Sequence, residues 1–224
     1  MSFPAHIFRQ YDIRGIVGKD LDEGLTEAVG RAFGAQLRSG HGIESPRVAV
    51  GCDNRDTSPG LKAGLVRGLR AAGADVLDVG TVPTPVLYWS EVEFGTDASV
   101  QITGSHNPPE WNGIKMTVGR ASLYGDAIQD LHRRIEEDDL TDGDGAFEST
   151  EVLERYVADV AGRFDLARPI SVVVDCGNGT GSLVAVELLE ALGAEVTPLF
   201  CDSDPTFPNH HPDPTVDANL VDLQ

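Results

Sequence analysis

Ser105 stands where an apolar run breaks into a loop stiffened by two prolines, Val100-Gln101-Ile102-Thr103-Gly104-Ser105-His106-Asn107-Pro108-Pro109. Ala98, Val100 and Ile102 alternate as in a strand, and a strand end can present a hydroxyl to a cleft. Asn112-Gly113 is a turn signal, after which Ile114, Met116 and Val118 alternate as a second strand. Lys115 lies near the start of that strand, so the returning chain brings an ammonium group toward the Ser105 hydroxyl. These residue types suit a serine that carries a phosphoryl group. Such a group brings nearly two negative charges, and cations, backbone N–H groups or a metal must hold it. A surface turn in which Ser105 and Asn107 bond nearby backbone has the same spacing. Spacing alone does not choose between the two.

A wider resemblance does. Thr103-Gly104-Ser105-His106-Asn107-Pro108 resembles the phosphoserine loop of the α-D-phosphohexomutases, most closely their phosphomannomutase/phosphoglucomutase branch. Phe8-Arg9-Gln10-Tyr11-Asp12-Ile13-Arg14-Gly15 resembles the family's N-terminal signature, and Gly51-Cys52-Asp53-Asn54-Arg55-Asp56-Thr57-Ser58 its next loop. Val173-Val174-Asp175-Cys176-Gly177-Asn178-Gly179 and Phe207-Pro208-Asn209-His210-His211-Pro212-Asp213-Pro214 resemble segments of its second domain. The segments fall in the family's order and span nearly the whole chain.

The resemblance implies that Ser105 exchanges a phosphoryl group with hexose phosphates. Mannose or glucose 1- and 6-phosphate would be the monophosphates, with a hexose 1,6-bisphosphate between them. Lys115 and Arg14 match basic positions near the phosphoserine that would stabilise transferring oxygens, and Lys115 could also assist proton transfer. His106 would orient the loop or move a proton. Tyr11 matches a tyrosine at the family's cleft and would contact the sugar, or else is a half-buried packing ring. Asn107 would shape the loop. Mg²⁺ is expected in the complete enzyme, held in part by Ser105 through its phosphate. The family's carboxylate metal loop is not matched here: Asp142-Gly143-Asp144-Gly145 shares its opening but continues into Ala146-Phe147, and no strand precedes it. It reads as a linker rather than as an octahedral oxygen site. The full family has four domains and about twice this length. The chain is therefore expected to be its N-terminal part and not to turn over alone. The competing reading is a non-catalytic phosphosugar-binding or interaction fragment.

Two other patterns bear on function. Gly177-Asn178-Gly179-Thr180-Gly181 at a helix start resembles a phosphate cradle. A dinucleotide fingerprint would need a third Gly at position 182, where Ser182 stands. His210-His211 offers two imidazoles, but adjacent side chains diverge and the flanking prolines suit a structural loop.

Composition sets outer bounds. A formal net charge of −19 argues against nucleic acid. It does not exclude an anionic substrate, because fields fall off within about 8 Å at physiological salt. The local cluster of Arg9, Arg14, Arg55 and Lys115 matters more. No run of residues suits a membrane span, and no secretory signal opens the chain. Cys52, Cys176 and Cys201 match neither a disulfide framework nor a zinc spacing, so a cytoplasmic setting is expected.

The positioning elements read as α/β, namely two related three-layer α/β domains with mixed sheets, the second incomplete. Arg47–Cys52, a loop, a helix through Leu61, Leu65 and Leu69, and Ala72-Gly73-Ala74-Asp75-Val76 make one strand–helix–strand unit. Ile170–Cys176, a Gly-rich loop, a helix through Leu183, Leu188 and Leu192, and Gly193-Ala194-Glu195-Val196 repeat it. Parallel pairs with right-handed crossovers follow. Gly73 and Gly193 suit helix C-termini. Further helices are expected near 22–38, after Pro85, through Ile128, Leu131 and Ile135, and from about Thr150; Asp217–Leu223 looks like another beginning. The domains are placed at 1–145 and 150–224, joined by an acidic linker.

Overall fold

The computed structural model describes residues 3–224. Its strands are β1 (Ile13–Ile16), β2 (Arg47–Cys52), β3 (Asp75–Thr81), β4 (Ala98–Ile102), β5 (Trp111–Val118), β6 (Ala121–Ser122), β7 (Phe147–Ser149), β8 (Ser171–Asp175) and β9 (Glu195–Leu199). Its helices are α1 (Glu23–Ala35), α2 (Ser58–Ala71), α3 (Thr84–Glu93), α4 (Asp126–Glu137), α5 (Leu153–Ala161) and α6 (Ala185–Ala191). The first sheet runs β1-β5-β4-β2-β3-β7, with β6 on β5. Its centre, β4-β2-β3, is parallel, and β1 and β5 are antiparallel to their neighbours. The second sheet is the parallel pair β8-β9.

Alternation explains the layers. Val48, Val50 and Cys52 of β2 and Ala98, Val100 and Ile102 of β4 pack with α1, α2 and α4 in one buried cluster. Ala49 on the opposite face packs with Val86 and Leu87 of α3, and with Val157 of α5. Val184, just before α6, joins this second cluster, which ties the smaller unit to the larger one. Gly73 and Gly193 both follow their helices at φ 86, the left-handed value that glycine adopts at little cost. The repeated strand–helix–strand units are thus present, two α/β units with mixed and parallel sheets, the second smaller.

Three local readings change. Asn112 and Gly113 make no turn: they lie inside β5, paired with Gly15 and Arg14 of β1. Asn112 is fully buried, with Nδ2 donating to Thr57 Oγ1 at 3.0 Å and Ser58 Oγ at 2.8 Å. A Cβ at Gly113 would overlap the Ile13 carbonyl, so glycine serves close strand approach there. The acidic stretch after α4 is packed rather than loose. Gly143 N donates to Ala71 O at 2.8 Å and Gly145 N to Arg70 O at 2.9 Å, with β7 following on the edge of the first sheet. Asp217–Leu220 forms a 3₁₀ turn.

Candidate active site

The parallel strands β2, β3, β4 and β8 deliver their carboxyl ends to one cleft, where ligands of open α/β sheets bind. A cavity of about 310 Å³ there is lined by Asp53 and Asn54 after β2, Thr84 after β3, Thr103, Ser105 and His106 after β4, and Cys176, Gly179, Thr180 and Gly181 after β8. Phe207, Pro212 and Pro214 complete the wall.

Ser105 is exposed in this wall at φ 55. That left-handed geometry costs an L-residue about 1–2 kcal/mol, so its neighbours must hold it. Ser105 N donates to Thr103 Oγ1 at 2.9 Å. Arg55 does more, although it is only 2% exposed. Its Nη2 donates to the Ser105 and Asn107 carbonyls at 3.0 and 2.7 Å, and its Nη1 to those of Pro108 and Trp111 at 2.6 and 3.2 Å. Nε donates to Asp53 Oδ2 at 3.2 Å. All five N–H donors of the guanidinium are therefore used by loop carbonyls and one carboxylate. Burial lowers its pKa, and the Asp53 charge opposes that. A Cβ at Gly104 would overlap the guanidinium, while Phe207 of the smaller unit lies 5.3 Å from it on a cation–π contact. Arg55, read from sequence as part of a phosphate-facing cationic cluster, instead builds the loop.

Asp53 is the second organiser. Its carboxylate accepts from Gly104 N at 2.8 Å, from Arg55 N at 3.1 Å, and from the Ser58 hydroxyl. Asn107 closes the turn, donating through Nδ2 and N to Gly104 O at 2.9 and 3.1 Å. Its position suits the loop-shaping role expected of it.

Arg14 and Lys115 lie behind Thr103 and do not line the cavity. Arg14 is buried and donates through Nη1 to Thr103 O at 2.6 Å. Its Nη2 meets Asp12 Oδ2 at 2.5 Å, and Lys115 Nζ meets the same oxygen at 3.3 Å. One carboxylate thus joins two cations and leaves the group a net positive charge. Lys115 faces Gln101, two residues before Thr103, across the β4–β5 pair. Arg9 is exposed and lies 5.4 Å over the Trp111 ring. Tyr11 is 74% exposed, so it is not a packing ring. His106 is exposed in the cavity wall, near enough to Asp213 of the smaller unit to help lower that carboxyl, which is held down chiefly by Thr215.

The two units meet at Asn54, whose Nδ2 donates to Asn178 O and Ser203 Oγ, each at 2.9 Å. Asn178 is buried at φ 58 and bonds Asp202 O and Asn209. His210 makes no metal site: Nε2 meets Asp175 Oδ2 at 3.1 Å and Nδ1 meets His211 O at 2.9 Å. Both partners only accept, an arrangement that favours the doubly protonated imidazole and raises its pKa. Sequence reading did not identify Asp12, Asp53, Asn54 or Phe207 as parts of the site. All four lie within the motif segments, and that was the available signal.

The first-domain family model "Phosphoglucomutase/phosphomannomutase, alpha/beta/alpha domain I" matches residues 5–142, and the domain II model matches 154–224. A phosphomannomutase/phosphoglucomutase of Pseudomonas putida is 47% identical over 223 residues, 99% of this chain and 47% of that protein. A phosphoglucomutase of Neisseria gonorrhoeae is 44% identical, over 99% of this chain and 48% of its own length. The crystal structure of a phosphoglucomutase/phosphomannomutase family protein from Burkholderia thailandensis superposes with a TM-score of 0.93 at 44% identity, covering 99% of this chain and 49% of that one. The chain spans about half the length of the curated relatives it matches.

Proposed function

We propose, for a chain that belongs to the phosphoglucomutase/phosphomannomutase family, that Ser105 is the phosphoryl carrier of a hexose-phosphate mutase. The observation that carries this reading is the Ser105 loop itself. An exposed serine is fixed at φ 55 in a cleft by a buried guanidinium whose donors are all spent on loop carbonyls and the Asp53 carboxylate. A turn of no function has no need of such a scaffold. The names of the relatives, phosphomannomutase/phosphoglucomutase and phosphoglucomutase, support hexose phosphates as the substrate class.

In this reading the phosphorylated Ser105 oxygen gives its phosphoryl group to the free hydroxyl of a hexose monophosphate. The 1,6-bisphosphate so formed turns over and returns its other phosphoryl group to the same oxygen, leaving the isomeric monophosphate. Catalysis is then mostly positioning and charge stabilisation. Arg14 and Lys115, coupled through Asp12, bias the field behind Thr103 toward the anion. His106, the next residue in the cavity wall, is assigned to orient the loop or to move a proton. Tyr11, exposed on the preceding loop, is assigned to the sugar.

The described residues do not fit a Mg²⁺ site by themselves. No group of three or more metal-ligating side chains occurs among them. Asp53 is occupied by Gly104, Arg55 and Ser58, and Asp12 by Arg14 and Lys115. Mg²⁺ use stays an implication of family membership, and no step is drawn through it. No helix among the described residues is long and apolar enough to cross a membrane. Three free thiols suit a reducing, cytoplasmic setting.

The test is incubation with glucose or mannose 1,6-bisphosphate. The chain should gain one phosphoryl group and release hexose monophosphate in equal amount, and Ser105→Ala should do neither. Bisphosphate binding without release by the wild-type chain would favour a binding module and overturn the assignment.

A further inference from the structure

Cys176 and Cys201 are 25 residues apart in sequence, yet their sulfurs lie 3.3 Å apart. Cys176 follows β8 and Cys201 follows β9, and the two strands are parallel neighbours. The third cysteine, Cys52, is buried in the first sheet beside the Thr81 hydroxyl. Sequence spacing gave no reason to pair any of them. We propose that Cys176 and Cys201 are a modification site, a dithiol that hydroperoxides convert reversibly to an intramolecular disulfide in the wall of the cleft facing Ser105.

Access and consequence both follow from position. Cys176 lines the cavity that holds Ser105, and also an adjoining one of about 250 Å³ with Asp175 and His210. A small oxidant entering the cleft therefore reaches this sulfur. The Cys201 thiol faces the Leu199 carbonyl at 3.2 Å as well as Cys176, so its neighbourhood holds it beside its partner. Each cysteine is the stem of a loop that docks on the larger unit. Gly177–Gly181 follows Cys176 and contains Asn178; Asp202–Asp204 follows Cys201 and contains Ser203. Asn178 and Ser203 are the two groups that Asn54 bonds. A bond between the stems ties both docking loops together and shortens the unfolded chain's freedom.

The chemistry balances with a hydroperoxide as oxidant. One thiolate attacks a peroxide oxygen, the O–O bond breaks, and the departing alkoxide or hydroxide takes up a proton. The resulting sulfenic sulfur is attacked by the second cysteine. The S–O bond breaks and water leaves with that thiol's proton. Two thiols lose two protons and two electrons, and the peroxide is reduced to an alcohol and water, or to two waters. Burial, with the Cys201 contact next, pushes the Cys176 thiol up to about 12. The first step is accordingly slow near neutral pH and quickens as pH rises.

The test uses the folded 224-residue chain and dilute hydrogen peroxide, with thiols counted after quenching and denaturation. The count should fall from three to one, the mass should drop by two hydrogens, and peptide mapping should join the Cys176 and Cys201 peptides. Dithiothreitol should restore all three thiols. Cys52→Ala should still lose two thiols, and Cys176→Ser and Cys201→Ser should each form no internal bond. Three surviving thiols, sulfinic acids without a linked peptide, or a bond that includes Cys52 would each overturn the proposal. The linked peptide is read on wild-type protein, so it does not depend on a variant folding, nor on the role of Ser105.

Discussion

Arg55 is a better measure of the site than Ser105, because it decides whether the serine is presented at all. Lysine at this position keeps the charge but cannot reach four carbonyls in one plane. Arg55→Lys is expected to cost about 2–4 kcal/mol in unfolding free energy, since buried carbonyls lose their donors. It should also slow Ser105 phosphorylation at least about tenfold. Denaturant melts and single-turnover labelling measure the two effects. Gly104→Ala pushes a methyl into the same guanidinium and is expected to cost about 1–3 kcal/mol by overpacking. Asp12→Asn tests the other cluster. It leaves Arg14, 4% exposed at its side chain, beside no formal charge from Asp12, and should destabilise the chain by about 3 kcal/mol. If Asp12 only supports the fold, the phosphorylation rate of the folded variant will match wild type; if it also positions Lys115, the rate falls and its pH profile moves.

At the scale of elements, His210 makes the smaller unit sensitive to pH. Its Nδ1–H bond to the His211 carbonyl, followed by the Asp175 carboxylate, raises its pKa above the ordinary value, against the opposing effect of burial. A group that holds its proton better when folded contributes fully below its unfolded pKa, about 6.5, and loses that contribution as pH rises through the raised folded value. Thermal stability of the smaller unit is therefore expected to decline as pH rises above about 6.5, and to change less in His210→Gln. Equal pH dependence in the two proteins would remove His210 from the account. Sequence reading went furthest with such elements where the signal was local. The apolar periods of α1 and α2, the strand alternation of β2 and β4, and the glycines at 73 and 193 each report their own backbone. It went least far where a residue's meaning lies across the molecule. Asn112-Gly113 looks like a turn until β1 is laid against it. Asp142–Gly145 looks like a linker until Gly143 and Gly145 are seen packed on the end of α2. Asp12, Arg14 and Lys115 meet only through the fold, as do Cys176 and Cys201. The Ser105 loop was legible as a motif, but its dependence on Arg55 was not, because a charged side chain is ordinarily read as facing solvent or substrate.

At the scale of the whole molecule, the cleft joins two units through a few polar contacts. Asn54→Ala removes both donors to the smaller unit. It should leave the larger unit's melt unchanged while loosening the cleft, visible as faster amide exchange at Asn178 and Asp204. The cavity lining also limits what this chain does alone. Among its residues, His106 is the one side chain able to bear positive charge, whereas a bisphosphorylated sugar brings two phosphates. With no guanidinium or ammonium lining the cavity to hold the distal one, effective molarity at Ser105 is low. Slow single transfers are expected, without sustained conversion of hexose 1-phosphate to 6-phosphate. Steady turnover that survives repurification and vanishes in Ser105→Ala would show that the cleft described is sufficient.

A serine that is merely phosphorylated holds its phosphate, whereas a carrier gives it back. The most direct measurement is therefore the return step. The chain phosphorylated at Ser105 is freed of small molecules, mixed with glucose 1-phosphate or mannose 1-phosphate, and followed by mass spectrometry of the Ser105 peptide and by assay of the sugar. The expected result is loss of phosphate from Ser105 matched by formation of hexose 1,6-bisphosphate, faster than hydrolysis in buffer alone. Phosphate that stays on Ser105 in the presence of either sugar, or that leaves only as inorganic phosphate at the buffer rate, would contradict the assignment of Ser105 as the phosphoryl carrier.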